Sequence, residues 1–172
     1  MRHTASADDV VRALDELSAV EKSIDRATLN ALGIGPNDAK VLRHLLDLEA
    51  SGAPATPRSL AHLLGISSAA TTALIDRLAH AGWVEREPHP QDRRSIIVRA
   101  TVPAGSPARR LLAVRRVAVA QAAAGLGAQE RRTVVEFLDE LHRAEERYLA
   151  EVHATADAQL QGSADADAPP AR

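Results

Sequence analysis

The chain has 172 residues, of which 45% are apolar but only 2% aromatic, and its formal net charge is −2. That length supports one domain, or two small ones, with a core built from Leu, Val, Ile and Ala. The lack of cysteine excludes disulfides, thiolate metal sites and cysteine redox switches. No apolar run approaches the ~20 residues of a membrane span, and Met1 to Val11 lack the apolar stretch of a signal peptide, so a cytoplasmic protein with no membrane partner is expected.

In chain order, Val10, Leu14, Leu17, Ile24 and Ala31 recur at helical spacing and predict an amphipathic helix that ends at Gly33 and Gly35. Pro36 starts a second helix, with Val41, Leu42, Leu45, Leu46 and Leu48 inward. After a loop at 51–55, Thr56-Pro57 is a helix start: a capping hydroxyl followed by proline at the first helical position. Leu60, Ala61, Leu63 and Leu64 form the apolar side of that helix. Gly65-Ile66 turns the chain, and Ser67 can cap a fourth helix whose expected inner residues are Ala70, Leu74, Ile75 and Leu78. Gly82 stops it. Two strand-like runs follow, 83–87 and 95–101, the second rich in β-branched residues. A proline-stiffened loop, 88–94, joins them. Ser106-Pro107 opens a long helix to about Ala124, and a last helix, about 128–154, carries Val134, Phe137, Leu138, Leu141 and Tyr148 on one broad face. From Thr155 the composition turns to Ala, Asp, Gln, Gly, Ser and Pro, too poor in large apolar groups to bury a core, and disorder is expected.

The near-neutral total hides an uneven charge distribution. Net charge is −3 over residues 1–55, +6 over 56–116 and −5 over 117–172. A basic centre between acidic flanks suits a polyanionic partner, because local field rather than total charge steers one.

Within that centre the order helix, turn, helix, hairpin predicts a winged helix-turn-helix. Such a motif lays its second helix in the major groove of DNA while the first holds it in place. Ser67, Ser68, Ala69, Thr72 and Ala73 are the groove-facing candidates. Hydroxyls can bond base edges or phosphates, and methyls can touch thymine. Arg77, further along, is better placed for a phosphate. Arg93 and Arg94 sit at the hairpin tip, where an extended arginine can enter a minor groove. Asp92 would repel phosphate as a direct contact but can orient Arg94 through a charge-assisted hydrogen bond.

Four runs together resemble the MarR family of bacterial transcription regulators: Leu60-Ala61-His62-Leu63-Leu64-Gly65-Ile66-Ser67, Leu74-Ile75-Asp76-Arg77-Leu78, Gly82-Trp83-Val84-Glu85-Arg86 and Pro90-Gln91-Asp92-Arg93-Arg94. Asp92 and Arg94 resemble that family's Asp-x-Arg wing signature. The resemblance implies a homodimer joined by helices at 8–35 and 104–154, a winged helix-turn-helix at 36–103 and a tail at 155–172. It implies a repressor that binds double-stranded DNA at a palindromic promoter operator, occludes polymerase and is released by a small aromatic or anionic effector. Ala100-Thr101 departs from the family's usual Leu-Thr, which suggests a less anchored strand end. Cysteine-based peroxide sensing, found in one branch, is impossible here.

Other readings stay open on the sequence. The chain could be an architectural DNA-binding regulator with no effector, or a winged helix used for protein contacts. Arg109, Arg110, Arg115 and Arg116 form a charge run of the kind that usually faces solvent. Trp83 is read as core packing. The seven histidines include no pair at helical ligand spacing, and no catalytic motif is found. Neither enzymatic activity nor a metal or cofactor is expected.

Overall fold

The computed structural model describes residues 5–89 and 95–166. Six helices and one hairpin occur among them: α1 (Ala7–Leu32), α2 (Pro36–Ser51), α3 (Pro57–Leu64), α4 (Ser68–His80), β1 (Val84–Pro88), β2 (Ile96–Ala100), α5 (Pro107–Ala124) and α6 (Ala128–Ala166). The mainly α fold class with a small β-wing is as the sequence implies. The chain divides into two compact units, residues 1–118 and 119–172, and α5 runs from the first into the second.

Local chemistry sets the element ends in the first unit. Ser6 caps α1 by accepting from the Asp9 amide, and Asp9 reaches back to the Ser6 N–H. These Ser6 bonds hold the Asp9 carboxyl below its ordinary pKa. Thr56 caps α3 in the same way through Ser59, with Pro57 in the first turn. Ser67 caps α4 by accepting from the Ala70 N–H. Between α3 and α4, Gly65 adopts φ 65°, which closes α3 with N–H bonds to Ala61 and His62 carbonyls. A Cβ at Gly65 would touch nothing within 4 Å. Gly65→Ala should therefore cost only the left-handed backbone penalty, about 1–2 kcal/mol, read as a lower urea midpoint.

The core is Leu42, Val41 and Leu45 of α2, Leu60 of α3, Leu74, Ile75 and Leu78 of α4, Val84 and Val98 of the hairpin, and Leu112 of α5. Every one of these lies in the first unit. The helix-turn-helix is thus cemented to α2 and the hairpin by burial worth roughly 1.5–3 kcal/mol for each large side chain. Leu46 and Leu48, expected inward, are only half-buried against this core.

The hairpin pairs antiparallel from Val84↔Ala100 to Pro88↔Ile96. The Val98 N–H donates to the Ala55 carbonyl at 2.8 Å, which ties the outer edge of β2 to the loop before α3. The expected looseness at the end of β2 is not found. Thr101 donates its N–H to the Trp83 carbonyl at 3.0 Å and its hydroxyl to the Gly82 carbonyl at 2.5 Å, while Ala100 packs on the core. The threonine does the anchoring, so the residue before it need not be leucine.

Two expectations are corrected. Ala70, expected inside, is exposed, and its neighbour Thr71 is fully buried instead. The Thr71 hydroxyl donates to the Ser67 carbonyl at 2.9 Å, so a polar side chain enters the core with its hydrogen bond made. The last helix does not end near 154: α6 continues to Ala166. The segment past 155 has too few apolar groups for a core, but its alanines and glutamines are good helix formers and a helix needs no core to keep its own backbone bonds.

The apolar stripes of the long helices are not covered. Val10, Leu17 and Val20 on α1 are exposed in the first unit, as are Val134, Phe137, Leu138 and Tyr148 on α6 in the second.

Candidate nucleic-acid interface

The candidate surface follows from which side of α4 packs. Thr71, Leu74, Ile75 and Leu78 face the core. That leaves Ser67, Ser68, Ala69, Ala70, Thr72, Ala73, Asp76 and Arg77 exposed. All six sequence-predicted positions from this helix region (Ser67, Ser68, Ala69, Thr72, Ala73 and Arg77) lie on the exposed side, and Ala70 joins them. On the preceding helix, Arg58, Ser59 and His62 are exposed as well. The first two turns of α4 carry no side chain longer than threonine on this side, so the helix backbone can come close to whatever it meets.

Several polar groups on this face are already engaged. The Ser67 hydroxyl accepts from the Ala70 amide at 3.2 Å, and the Thr72 hydroxyl donates to the Ser68 carbonyl at 2.9 Å. Thr72 therefore presents its methyl group outward more than a free donor. Between Ser68 and Ala73 the outward side is mostly methyl, with the Ser68 hydroxyl as its exception.

Two ion pairs, invisible in the sequence, fix adjacent residues of α4 to different neighbours. Arg77 Nη2 donates to Asp38 Oδ1 on α2 at 2.5 Å. The other oxygen of Asp38 accepts from the Gly35 N–H at 3.0 Å, so the carboxylate also caps α2. Arg86 on β1 donates to Asp76 at 2.5 Å and links the wing to α4. Across the hairpin, Arg99 Nε donates to Glu87 at 2.7 Å, and this carboxylate pushes the Arg99 pKa further up.

The wing-tip residues Asp92, Arg93 and Arg94 lie outside the described residues. The described part of the hairpin ends with a His89 N–H to Ser95 carbonyl bond of 3.1 Å.

The arginine run on α5 is not a free basic face. Arg109 binds Glu49 at 2.8 Å and the Val102 carbonyl at 3.0 Å, Arg115 binds Glu21 at 2.6 Å, and Arg116 pairs with Asp47. These bonds brace α5 against α1 and α2. Trp83 packs on the core as expected and also walls an open cleft of about 460 Å³ with Leu32, Val102, Pro103, Ala108 and Leu111. No charged side chain lines this cleft. Among the described residues no group of His, Asp and Glu could hold a metal ion, and no helix is long and apolar enough to cross a membrane.

Residues 40–96 match the family model described as the MarR family. Over 73 residues the chain is 38% identical to the HTH-type transcriptional regulator YcgE of Bacillus subtilis, covering 42% of this chain and 45% of that protein. Over 46 residues it is 44% identical to the multiple antibiotic resistance protein MarR of Escherichia coli, covering 27% and 32%. The matched stretches thus span less than half the length of these curated relatives. Among solved structures, the transcriptional regulator Tm0710 from Thermotoga maritima aligns with a TM-score of 0.52 at 26% identity, over 83% of this chain and 98% of that one.

Proposed function

We propose that this chain is a MarR-type homodimeric transcription regulator that binds double-stranded DNA at a palindromic promoter operator, a reading supported by the match of its residues 40–96 to the MarR family model. The observation that carries the reading is α4: a capped helix, packed through one side, whose other side is solvent-facing and short enough in side chain to enter a major groove. The winged helix-turn-helix at 36–103 reads DNA through Ser67, Ser68, Ala69, Thr72, Ala73 and Arg77. Arg93 and Arg94 add contacts from the wing, and Asp92 orients Arg94.

Helices at 8–35 and 104–154 join two copies. Support comes from the apolar side chains exposed on α1 and, separately, on α6. A dimer places its two recognition helices one helical turn, about 10 bp, apart. Binding there represses transcription by blocking polymerase. Release by a small ligand is supported by the cleft beside Trp83. Its uncharged lining favours an aromatic ligand over an anionic one.

The test is a gel-shift titration on DNA from immediately upstream of the chain's own gene, against scrambled DNA of equal length. Arg94→Ala should weaken specific binding about ten-fold or more, the loss of one charge-assisted contact, and leave sedimentation as a dimer unchanged. Equal affinity in wild type and variant would remove the wing from the interface. Thermal shifts with neutral phenols, set against aromatic carboxylates, then test the effector: a ligand that raises Tm must also release the shifted DNA.

A further inference from the structure

We propose that Asp38 is a positioning residue that holds Arg77 in the geometry needed to grip the DNA backbone. The proposal rests on the DNA-binding reading above and adds to it a residue from outside the helix-turn-helix.

Asp38 sits in the first turn of α2, 39 residues from Arg77. Its side chain is 8% exposed, and both of its oxygens are in use. One accepts from the Gly35 N–H and the other from Arg77 Nη2. A carboxylate held at both oxygens on a helix end is a rigid anchor. Arg77, by contrast, remains 61% exposed. A guanidinium carries five N–H donors in one plane. With one edge fixed on Asp38, the remaining donors face solvent from the same exposed side of α4 that carries Thr72 and Ala73. An unrestrained arginine would surrender several rotatable bonds on meeting a phosphate, whereas this one is ordered beforehand.

Two rival roles predict different results. If Asp38 only caps α2, it matters for stability and not for DNA. If it competes with phosphate for Arg77, removing its charge should tighten binding. Asp38→Asn separates them, because the asparagine oxygen can still accept from the Gly35 N–H while the anionic hold on Arg77 is lost.

Duplex affinity is measured across a salt series for wild type, Asp38→Asn, Arg77→Ala and the double variant, alongside thermal melts. Positioning predicts that Asp38→Asn lowers affinity about ten-fold and makes the salt slope shallower by about one phosphate contact. It also predicts that Arg77→Ala costs little more once Asp38 is changed. An unchanged slope with a lower Tm, additive losses, or tighter binding would each overturn it. Arg77→Lys leaves the α2 cap untouched and covers the case where Asp38→Asn does not fold. Lysine keeps the charge but not the planar fork, so affinity should fall nearly as far as in Arg77→Ala, and near-wild-type affinity would overturn the proposal. A wild type without salt-dependent binding to any duplex would instead sink the DNA-binding reading itself.

Discussion

Ala73→Glu should reduce DNA affinity by at least about 100-fold while the folded state melts where the wild type does. Ala73 is exposed in the middle of α4, where glutamate is a good helix former and has nothing to collide with inside the protein. In the bound state the same carboxylate would stand against base edges and phosphates. Like charges brought together at an interface cost several kcal/mol, so a 100-fold loss, ~2.7 kcal/mol, is a lower estimate. Fluorescence anisotropy with a labelled operator gives the affinity, and calorimetry gives Tm. A variant that folds and binds as the wild type does would show that this side of α4 does not enter the groove.

Ile75→Ala is the complementary change, made two residues away on the opposite side of the helix. Ile75 is 1% exposed and packs among the side chains of the core. Truncating a buried isoleucine to alanine costs about 2–5 kcal/mol, through lost burial and the cavity left behind. The whole stability of a domain this size is typically ~5–15 kcal/mol, so much of the margin should go. Urea unfolding should show a lower midpoint at an unchanged slope. DNA binding should fail in proportion to the unfolded fraction, with the remaining folded molecules binding normally. A folded variant with impaired binding would mean that Ile75 shapes the interface directly.

Much of the fold and of the candidate interface is legible in the amino-acid sequence, and particular residues explain why. Thr56-Pro57, Gly65 and Ser67 specify helix ends through local chemistry: a side-chain oxygen within reach of an amide three residues on, or a backbone angle that only glycine takes freely. Such signals need no knowledge of the rest of the fold, and each lies where the sequence predicts. Leu74, Ile75 and Leu78 give the phase of α4, and with it the outward side. Thr71 is harder, because its polarity argues for the surface while its hydrogen bond to the Ser67 carbonyl admits it to the interior. The alternative, Ala70, is apolar but too small to signal which way it faces. Asp38–Arg77 and Asp76–Arg86 are illegible for a different reason. Pairing among so many charges depends on tertiary distances, and nothing in a linear sequence ranks one acid above another as the partner of a given arginine. The end of α6 escapes a reading by composition, because residues unfit for a core can still be fit for a helix.

The side of α4 that meets solvent has a consequence for descent. Ser68, Ala69 and Ala73 contribute nothing to the core, and the residues that do are interleaved among the outward ones along the same helix. Changes at the outward positions are therefore nearly silent to folding and, if α4 reads DNA as proposed, free to alter which bases are preferred. A duplicated copy of this gene could drift toward a new set of promoters by single substitutions without ever passing through an unstable ancestor. The same separation makes these three positions the natural ones to randomise in a laboratory search for altered operator choice, with the remainder of the helix held constant.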